Sequence, residues 1–233
     1  MSTYRWERVA DGVYRCRLPF LDVTVGAVTG RDGVVLIDSG TTLAEAGAIA
    51  DDVRGLDPRG VTDLVLTHHH FDHVLGCSVF ADARTHCADE VLAALRDAGA
   101  LAADAVSYGA DAAEIAATVA ALRPLNRRGV ESTIDLGDRV VTLLSPGRGH
   151  TGHDLVVVVP GAPTVVFCGD LVEESGDPAI ADDSHPAEWA DTLDVVLAAG
   201  GPDARYVPGH GAVVDADFVR RQRDWLRQRV DAD

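Results

Sequence analysis

Residues 62–73 read TDLVLTHHHFDH, an apolar segment that runs directly into four histidines and an aspartate. The residues TDLVLT predict a short buried strand. His68, His69, His70 and His73 then follow, four of the nine histidines in the chain. Imidazoles that are buried without partners destabilise a fold, so this cluster needs water, hydrogen bonds or a metal ion. A solvent-exposed loop rich in histidine is the alternative that the cluster alone leaves open.

The spacing of these residues favours metal binding. In an extended segment residues i and i+2 point the same way, so His68 and His70 can reach one ion while His69 points away from it. The chain then turns, which allows Asp72 and His73 to face a second ion. Neutral imidazole and carboxylate oxygen are good zinc ligands. Because this segment alone completes neither site, further ligands must come from distant parts of the chain.

Candidates for these further ligands lie where other predicted strands end. Asp38 ends VVLID, His150 lies in PGRGHTGHD, Asp170 ends VVFCGD, and His210 ends RYVPGH. Layered α/β folds commonly bind ligands at the ends of strands. A single aspartate or histidine in such a place is most often a turn or cap residue. Several of them in one chain favour a common site.

The rest of the pattern predicts alternating β-rich and helical regions. Strands are predicted at 6–9, 13–18, 21–28, 34–40, 62–67, 140–145, 154–160, 164–170 and 205–208, and helices at 41–54, 186–199 and 217–230. Residues 88–123 are rich in alanine and have helical spacing. Two β-rich halves with helices outside predict two sheets packed face to face and covered by helices. No linker divides the chain, so we expect one domain, residues 1–233, with a helical insertion at about 88–128 on the substrate side.

Composition limits the classes of partner. The chain has 233 residues, 47% apolar and 24% charged, with a net charge of −17, and all twenty of its basic residues are arginine. Such acidity argues against nucleic acid and against an anionic membrane, and leaves a small molecule as the expected partner. No apolar stretch is long enough to span a membrane and no secretory signal is evident, so we expect a cytoplasmic protein. The four cysteines, Cys16, Cys77, Cys87 and Cys168, are then expected to be buried free thiols.

The ordered motifs resemble those of the metallo-β-lactamase superfamily. They are Asp38 in LIDSG, H-x-H-x-D-H at 68–73, GHT at 149–151, GD at 169–170 and GH at 209–210. The resemblance implies a four-layer α/β/β/α sandwich of two mixed sheets, with a metal site at the edge between them. It favours the glyoxalase II-like or lactonase-like branch over a true β-lactamase.

The resemblance also implies roles for individual residues. His68, His70 and His150 would bind a first metal ion, Asp72, His73 and His210 a second, and Asp170 would bridge the two. Asp38 would support a ligand from behind rather than bind metal. His153 follows His150 by three residues, whereas the glyoxalase-type pattern has a second histidine at four, so His153 is expected to line the pocket. Tyr108 and His185 are further candidate substrate contacts.

The implied function is a dinuclear hydrolase with two Zn²⁺ ions per chain, for which Mn²⁺ or Fe²⁺ are possible replacements. Hydroxide bridging the metals would attack an ester, thioester or lactone carbonyl, with Asp72 and Asp170 as the catalytic carboxylates. A mononuclear iron dioxygenase acting on persulfides is the main alternative, and a non-catalytic metal-binding module is another. True β-lactamase activity is disfavoured because position 170 is Asp rather than Cys and no lysine is available for a drug carboxylate. Four arginines that flank or lie in the insertion offer positive charge for an anionic substrate: Arg96, Arg123, Arg127 and Arg128.

Overall fold

The computed structural model describes residues 2–128 and 133–230. The strands are β1 (Glu7–Ala10), β2 (Val13–Arg17), β3 (Thr24–Gly30), β4 (Gly33–Ile37), β5 (Asp63–Val65), β6 (Arg84–His86), β7 (Asn126–Arg127), β8 (Thr133–Asp135), β9 (Val140–Leu144), β10 (Val156–Val159), β11 (Val165–Glu173) and β12 (Arg205–His210). The α-helices are α1 (Leu43–Leu56), α2 (Phe71–Val74), α3 (Asp89–Arg96), α4 (Gly99–Ser107), α5 (Ala112–Ala120), α6 (Pro186–Gly200) and α7 (Ala216–Val230), and residues Leu75–Phe80 form a 3₁₀ helix. No helix in the described ranges combines the length and hydropathy needed to cross a membrane.

The strands form two mixed sheets. The first has the order β1-β2-β3-β4-β5-β6-β7, antiparallel from β1 to β4 and parallel from β4 to β7. The second has the order β12-β11-β10-β9-β8, in which only β11 and β12 are parallel. Helices cover the outer face of each sheet, so the predicted four-layer α/β/β/α sandwich is confirmed.

Alternation along the central strands explains why they are apolar at every position. On β4, Val35 and Ile37 pack between the sheets, whereas Val34 and Leu36 pack under the helices of the first outer layer. A strand covered on both faces needs apolar side chains on both. Gly26 on β3 lets the two sheets approach closely, because a Cβ atom there would overlap the ring of Phe167 on β11. The sandwich core therefore fixes how the two sheets face each other.

Local signals place most elements close to their predicted bounds. Helix α1 begins after Thr42, whose hydroxyl accepts a hydrogen bond from the backbone N of Glu45 while the Glu45 carboxylate accepts one from Thr42, a capping box. The three short strands β6, β7 and β8 are not predicted by the sequence. Their three or fewer residues are held as strands by pairing with neighbours, not by their own pattern.

The alanine-rich region divides into three helices, α3, α4 and α5. Helix α4 ends at Tyr108, before Gly109 with a φ of 100°, a conformation that glycine adopts without strain. Asp111 then caps α5 by accepting hydrogen bonds from the backbone N of Ala113 and Glu114. All four cysteines are buried free thiols, as predicted.

The alternation of side chains breaks at one point of β11. Simple alternation puts Cys168 on the same face as Asp170, but the pairing of β11 with β12 shifts around Gly169, which has a φ of 52°. This bulge resets the alternation. Cys168 consequently packs in the outer cluster under α6, and the strand continues through Asp170 to Glu173 instead of ending there.

Candidate metal centre

The segment 68–73 changes from extended chain to helix within a few residues. Beyond β5 the chain bends at His68, and His70, the residue before α2, is extended with φ −68° and ψ 147°. His68 and His70 therefore project from the connection between strand and helix, while Asp72 and His73 lie in the first turn of the helix. All of them except His70 are buried. The change from loop to helix lets His68 and His70 face one candidate metal position and Asp72 and His73 face another, as the spacing predicts.

The second sheet supplies the other candidate ligands. His150 lies in the loop between β9 and β10, Asp170 follows the bulge on β11, and His210 is the last residue of β12. An isolated β-bridge pairs His210 with Val23, which precedes β3 of the first sheet. This pairing links the two sheets at the edge where the histidines meet.

The ligand-type atoms converge in three groups, each with all its members within 4.8 Å of one another, and the third (His69, His70 and Asp183) is only half-buried and shares His70 with the first. The first group is His68, His70, His150 and Asp170, and the second group is Asp72, His73 and His210. Asp170 lies between them. Its Oδ2 atom is 3.4 Å from His150 Nε2 and 3.3 Å from His210 Nε2, and its Oδ1 atom is 3.1 Å from His73 Nε2. The sequence-predicted ligands are thus brought together around one carboxylate.

In the first group, the loop 179–185 holds two imidazoles from behind. His70 Nε2 donates to Asp183 Oδ2 at 3.1 Å, and His150 Nδ1 donates to the carbonyl oxygen of Ala179 at 3.2 Å. Ser184 Oγ also donates to the carbonyl oxygen of His150 at 2.8 Å. Both imidazoles therefore turn their other nitrogen inward, and these atoms, His70 Nδ1 and His150 Nε2, lie 2.8 Å apart.

Asp38 holds His68 and His73 through one network. Its carboxylate accepts hydrogen bonds from His73 Nδ1 at 2.9 Å and from the backbone N of Thr67 at 2.9 Å. The Thr67 hydroxyl also donates to Asp38, at 2.9 Å from Oδ2. Because that hydroxyl proton is used, the contact of 3.0 Å between Thr67 Oγ1 and His68 Nδ1 requires His68 to donate. Asp38 thus orients two imidazoles without lying in either group.

The fifth imidazole is held by backbone. His210 Nδ1 donates to the carbonyl oxygen of Leu21 at 2.8 Å. Leu21 and Asp22 have φ values of 55° and 59°, a left-handed conformation that costs energy for residues other than glycine. The turn that presents this carbonyl is therefore strained, as is common where a structure holds a functional group in place.

The arrangement fits transition-metal ions. All five imidazoles donate from the outer nitrogen, so in its neutral form each ring presents the lone pair of its inner nitrogen to the cluster. Tetrahedral zinc with nitrogen ligands at about 2.0–2.1 Å separates those ligands by about 3.3 Å. His70 and His150 present ligand atoms 2.8 Å apart, His68 and Asp170 present them 3.7 Å apart, and all ligand atoms of one group lie within 4.8 Å. Two buried atoms of the cluster, His68 Nε2 and Asp170 Oδ1, have no hydrogen-bond partner among the described residues.

The electrostatics of the two groups differ. Burial lowers the pKa of His150 to about 4. Burial also acts to lower the pKa of His210, but the nearby carboxylate of Asp170 outweighs it and raises that pKa to about 10. For His73 the same opposition, with Asp170 and Asp72 as the main carboxylates, raises the pKa well above its usual value. In the first group burial lowers the pKa of His68 and His150, and only His70 has a raised pKa, because the hydrogen bond to Asp183 and the charge of Asp170 outweigh its burial. Both histidines of the second group have a raised pKa, so that group stabilises positive charge more strongly.

The loop after His150 is fixed by a buried carboxylate. Asp154 accepts hydrogen bonds from the backbone N and the hydroxyl of Thr151, at 2.9 Å and 2.8 Å. Burial raises the pKa of Asp154 to about 7. These bonds close the GHT turn and hold His150 in its position.

His69 and His153 lie together beside the first group and outside it. His69 Nδ1 and His153 Nε2 are 3.1 Å apart, and burial lowers the pKa of both, of His153 to about 4. His69 Nε2 also lies 3.6 Å from Asp183 Oδ2. Of the two histidines of the 150–153 segment, the structure places His150 in the cluster and leaves His153 at its border.

The two further candidate substrate contacts occupy different positions. Tyr108 is 66% exposed, and its ring centroid lies 5.6 Å from that of Phe71, the first residue of α2. His185 begins α6, and its backbone N donates to the carbonyl oxygen of Gly149 at 2.8 Å. Tyr108 therefore stands next to the helix that carries Asp72, whereas His185 serves first to hold the loop of His150.

The sequence does not reveal the residues that hold the imidazoles from the loops. Asp183 is one of 37 acidic residues and follows another aspartate, so nothing in the pattern distinguishes it. The carbonyl oxygens of Leu21 and Ala179 are backbone groups and carry no residue-specific signal. Only the folded chain shows that they receive hydrogen bonds from ligand-type histidines.

The sequence model of the metallo-beta-lactamase superfamily matches residues 18–210. With the two-sheet sandwich and the histidine cluster at its edge, this match shows that the chain belongs to the metallo-β-lactamase superfamily. A Bacillus cereus protein described as "Metallo-beta-lactamase type 2" is 26% identical over 197 residues, which cover 84% of this chain and 69% of that protein. "Metallo-beta-lactamase domain-containing protein 1" of Xenopus laevis is 28% identical over 176 residues, 70% of this chain and 64% of that protein.

Solved structures agree on the fold. DIM-1 metallo-beta-lactamase superposes with a TM-score of 0.75 at 15% identity, covering 97% of this chain and 98% of that one. A metallo-beta-lactamase from Pontibacter korlensis gives a TM-score of 0.72 at 16% identity, covering 97% and 99%. At these identities the likeness shows the architecture and does not identify the glyoxalase II-like or lactonase-like branch.

Proposed function

We propose that this protein is a dinuclear zinc hydrolase that cleaves the carbonyl bond of a small ester, thioester or lactone. The observation that carries the proposal is the common orientation of the five cluster imidazoles. Each is held by a hydrogen bond at its outer nitrogen and presents its inner nitrogen to the cluster around Asp170. An exposed histidine-rich loop would show neither this burial nor this convergence.

The two groups would hold one ion each. His68, His70 and His150 would bind the first, Asp72, His73 and His210 the second, and Asp170, which lies within 3.4 Å of nitrogens from both groups, would bind both. Two bound divalent ions supply hydroxide at neutral pH and polarise a carbonyl oxygen. Zn²⁺ is favoured by the imidazole-rich ligand set, and Mn²⁺ or Fe²⁺ are alternatives.

The protein's own groups would orient the reactants. Asp170 is buried with one oxygen free of hydrogen bonds, so its carboxylate is available on the side of the cluster. Asp72 Oδ2 lies 3.4 Å from His210 Nε2 and 3.7 Å from His73 Nε2. From there Asp72 would orient the attacking water and return its proton to the leaving group. Tyr108, which packs on Phe71 of α2, His153, which contacts His69, and His185, which holds the loop of His150, are the candidate substrate contacts.

β-Lactam hydrolysis is the second candidate, favoured by the printed names of the Bacillus cereus relative and of the superposed structures. Two features of this chain favour an ester-like substrate instead. Asp170 occupies the position where one major group of zinc β-lactamases carries cysteine, and the chain has no lysine to pair with a drug carboxylate. Both candidate functions, ester-type hydrolysis and β-lactam hydrolysis, begin with attack on a carbonyl carbon.

The test is metal analysis of the purified protein together with steady-state kinetics on thioester, lactone and β-lactam substrates. We expect about two zinc ions per chain, with kcat/KM highest on a thioester or lactone. One iron and no zinc would favour a mononuclear dioxygenase. Efficient penicillin or cephalosporin hydrolysis, at about 10⁴ M⁻¹s⁻¹ or above, with little activity on the other substrates would assign a β-lactamase.

The variant Asp170→Ala tests whether Asp170 joins the two metal ions. Because Asp170 lies beyond the bulge and outside the three apolar clusters, its loss leaves the core filled. We expect a folded protein by circular dichroism whose activity falls by orders of magnitude. Turnover of the preferred substrate at a rate near that of the wild type would show that Asp170 does not join the two ions.

A further inference from the structure

A second cavity lies in the helical insertion, apart from the metal centre. It has a volume of about 520 Å³, is partly open to solvent, and is lined by residues of α3, α5, the segment that follows α5 and the 3₁₀ helix. None of the residues in the two metal-binding groups lines it. Sites for small molecules measure about 300–1,000 Å³. The cavity is therefore large enough for a ligand of its own.

The wall of this cavity is apolar. Its main contributors are five aliphatic side chains, Leu92, Leu95, Val119, Leu122 and Leu125. Each is partly buried against the core on the outer side of the first sheet, so each keeps a part of its surface for the cavity. An alkyl chain placed there would remove this apolar surface from water.

The charged side chains that line the cavity are all arginines: Arg96, Arg123 and Arg127. Arg123 donates from Nε to the carbonyl oxygen of Ser78 at 3.0 Å and lies 3.5 Å from the exposed Asp82. Arg127 lies 2.5 Å from the exposed Asp89. Arg96 is exposed and makes no ion pair or hydrogen bond within the described part of the chain. In a chain with a net charge of −17, Arg96 is therefore the charge on the cavity wall that has no ion pair among the described residues, and it favours a negative ligand.

We propose that the cavity binds a medium-chain fatty acid, with its alkyl chain against the leucines and its carboxylate at Arg96 and Arg123. Guanidinium groups bind carboxylates through two parallel hydrogen bonds, which gives this head group its preference. A neutral alkyl ligand would leave Arg96 without a partner. This site is additional to the proposed hydrolase centre and does not depend on it.

The test is isothermal titration calorimetry of the full-length, zinc-loaded protein with hexanoate, octanoate and decanoate. Burying one methylene contributes about 0.8 kcal/mol, so affinity should rise about fourfold per added carbon. Octanoate should bind more tightly than 1-octanol. Affinity that does not change with chain length, or that is equal for acid and alcohol, would overturn the proposal.

Two variants locate the site. Arg96→Gln should weaken octanoate binding by up to about fivefold, as expected for a partly solvated ion pair. Leu122→Glu should abolish binding because it places a carboxylate in the apolar wall. Arg5→Gln is the matched control, since Arg5 is also exposed and lacks a partner among the described residues, and it should bind octanoate like the wild type.

A carboxylate can also bind zinc, so the metal centre needs its own control. His150→Ala should leave octanoate affinity unchanged if the cavity is the site. Binding that is lost in His150→Ala but retained in Arg96→Gln and Leu122→Glu would place the acid on the metal centre instead. A dimer in sedimentation velocity that dissociates on the Leu122→Glu substitution would identify this face as a contact between copies of the chain and would also overturn the proposal.

Discussion

Asp38→Asn is expected to weaken the metal ion beside His73 by about 10- to 100-fold, or about 1.4–2.7 kcal/mol. Asp38 Oδ2 accepts the proton of His73 Nδ1 at 2.9 Å. With the asparagine oxygen at Oδ1, where it keeps the bond from the Thr67 backbone, the amide nitrogen faces His73. That nitrogen donates to Nδ1 and forces the imidazole proton onto Nε2, which removes the inward lone pair.

Asparagine is the appropriate replacement because Asp38 has a φ of 62°, a left-handed conformation that asparagine tolerates and most residues do not. Loss of one hydrogen bond to a charged group costs about 1.5–3 kcal/mol. For a domain of this size we therefore expect Tm to fall by roughly 3–12 °C. The variant should remain folded at room temperature, so its metal content can be measured.

The assay is metal content by mass spectrometry after dialysis against chelators of increasing affinity. Asp52→Asn is the matched control, because Asp52 is also buried and accepts hydrogen bonds from Thr3, Tyr4 and Trp6, far from the histidines along the chain. We expect Asp38→Asn to lose one ion at a chelator strength where wild type and Asp52→Asn keep two. Equal loss from both variants, or no loss from Asp38→Asn, would refute the reasoning.

Acidification should release the ion beside His210 before the ion beside His150. The Asp170 carboxylate outweighs burial and raises the pKa of His210 to about 10, whereas burial lowers the pKa of His150 to about 4. Protons therefore compete more strongly for His210 as the pH falls, and equilibrium dialysis between pH 8 and 5 in which the ion beside His150 leaves first would contradict this order. Gly209→Ala should lower metal content, because its Cβ would overlap Asp170 Oδ1, and a normal metal content would show that the carboxylate can move without loss. His153→Ala should keep both ions, since His153 lies outside both groups; loss of an ion in elemental analysis would make it a ligand.

The sequence by itself predicted two sheets covered by helices and identified the candidate metal ligands. Short-range physics carries this information. A strand covered on both faces, such as β4, needs apolar side chains throughout. A histidine that follows a strand lies at the end of that strand, where layered folds bind ligands. The expected ligands His68, His150 and His210 accordingly meet around Asp170 although they are far apart in the chain.

Tertiary structure decided what holds those ligands and where alternation fails. The bonds from His70 to Asp183 and from His210 to the carbonyl of Leu21 join residues 113 and 189 positions apart, and no local pattern marks either acceptor. The bulge at Gly169, which turns Asp170 to the cluster and Cys168 away from it, depends on the pairing of β11 with β12. Local preferences act over a few residues, whereas these features exist only because the folded chain brings distant segments into contact, within one sheet or between elements.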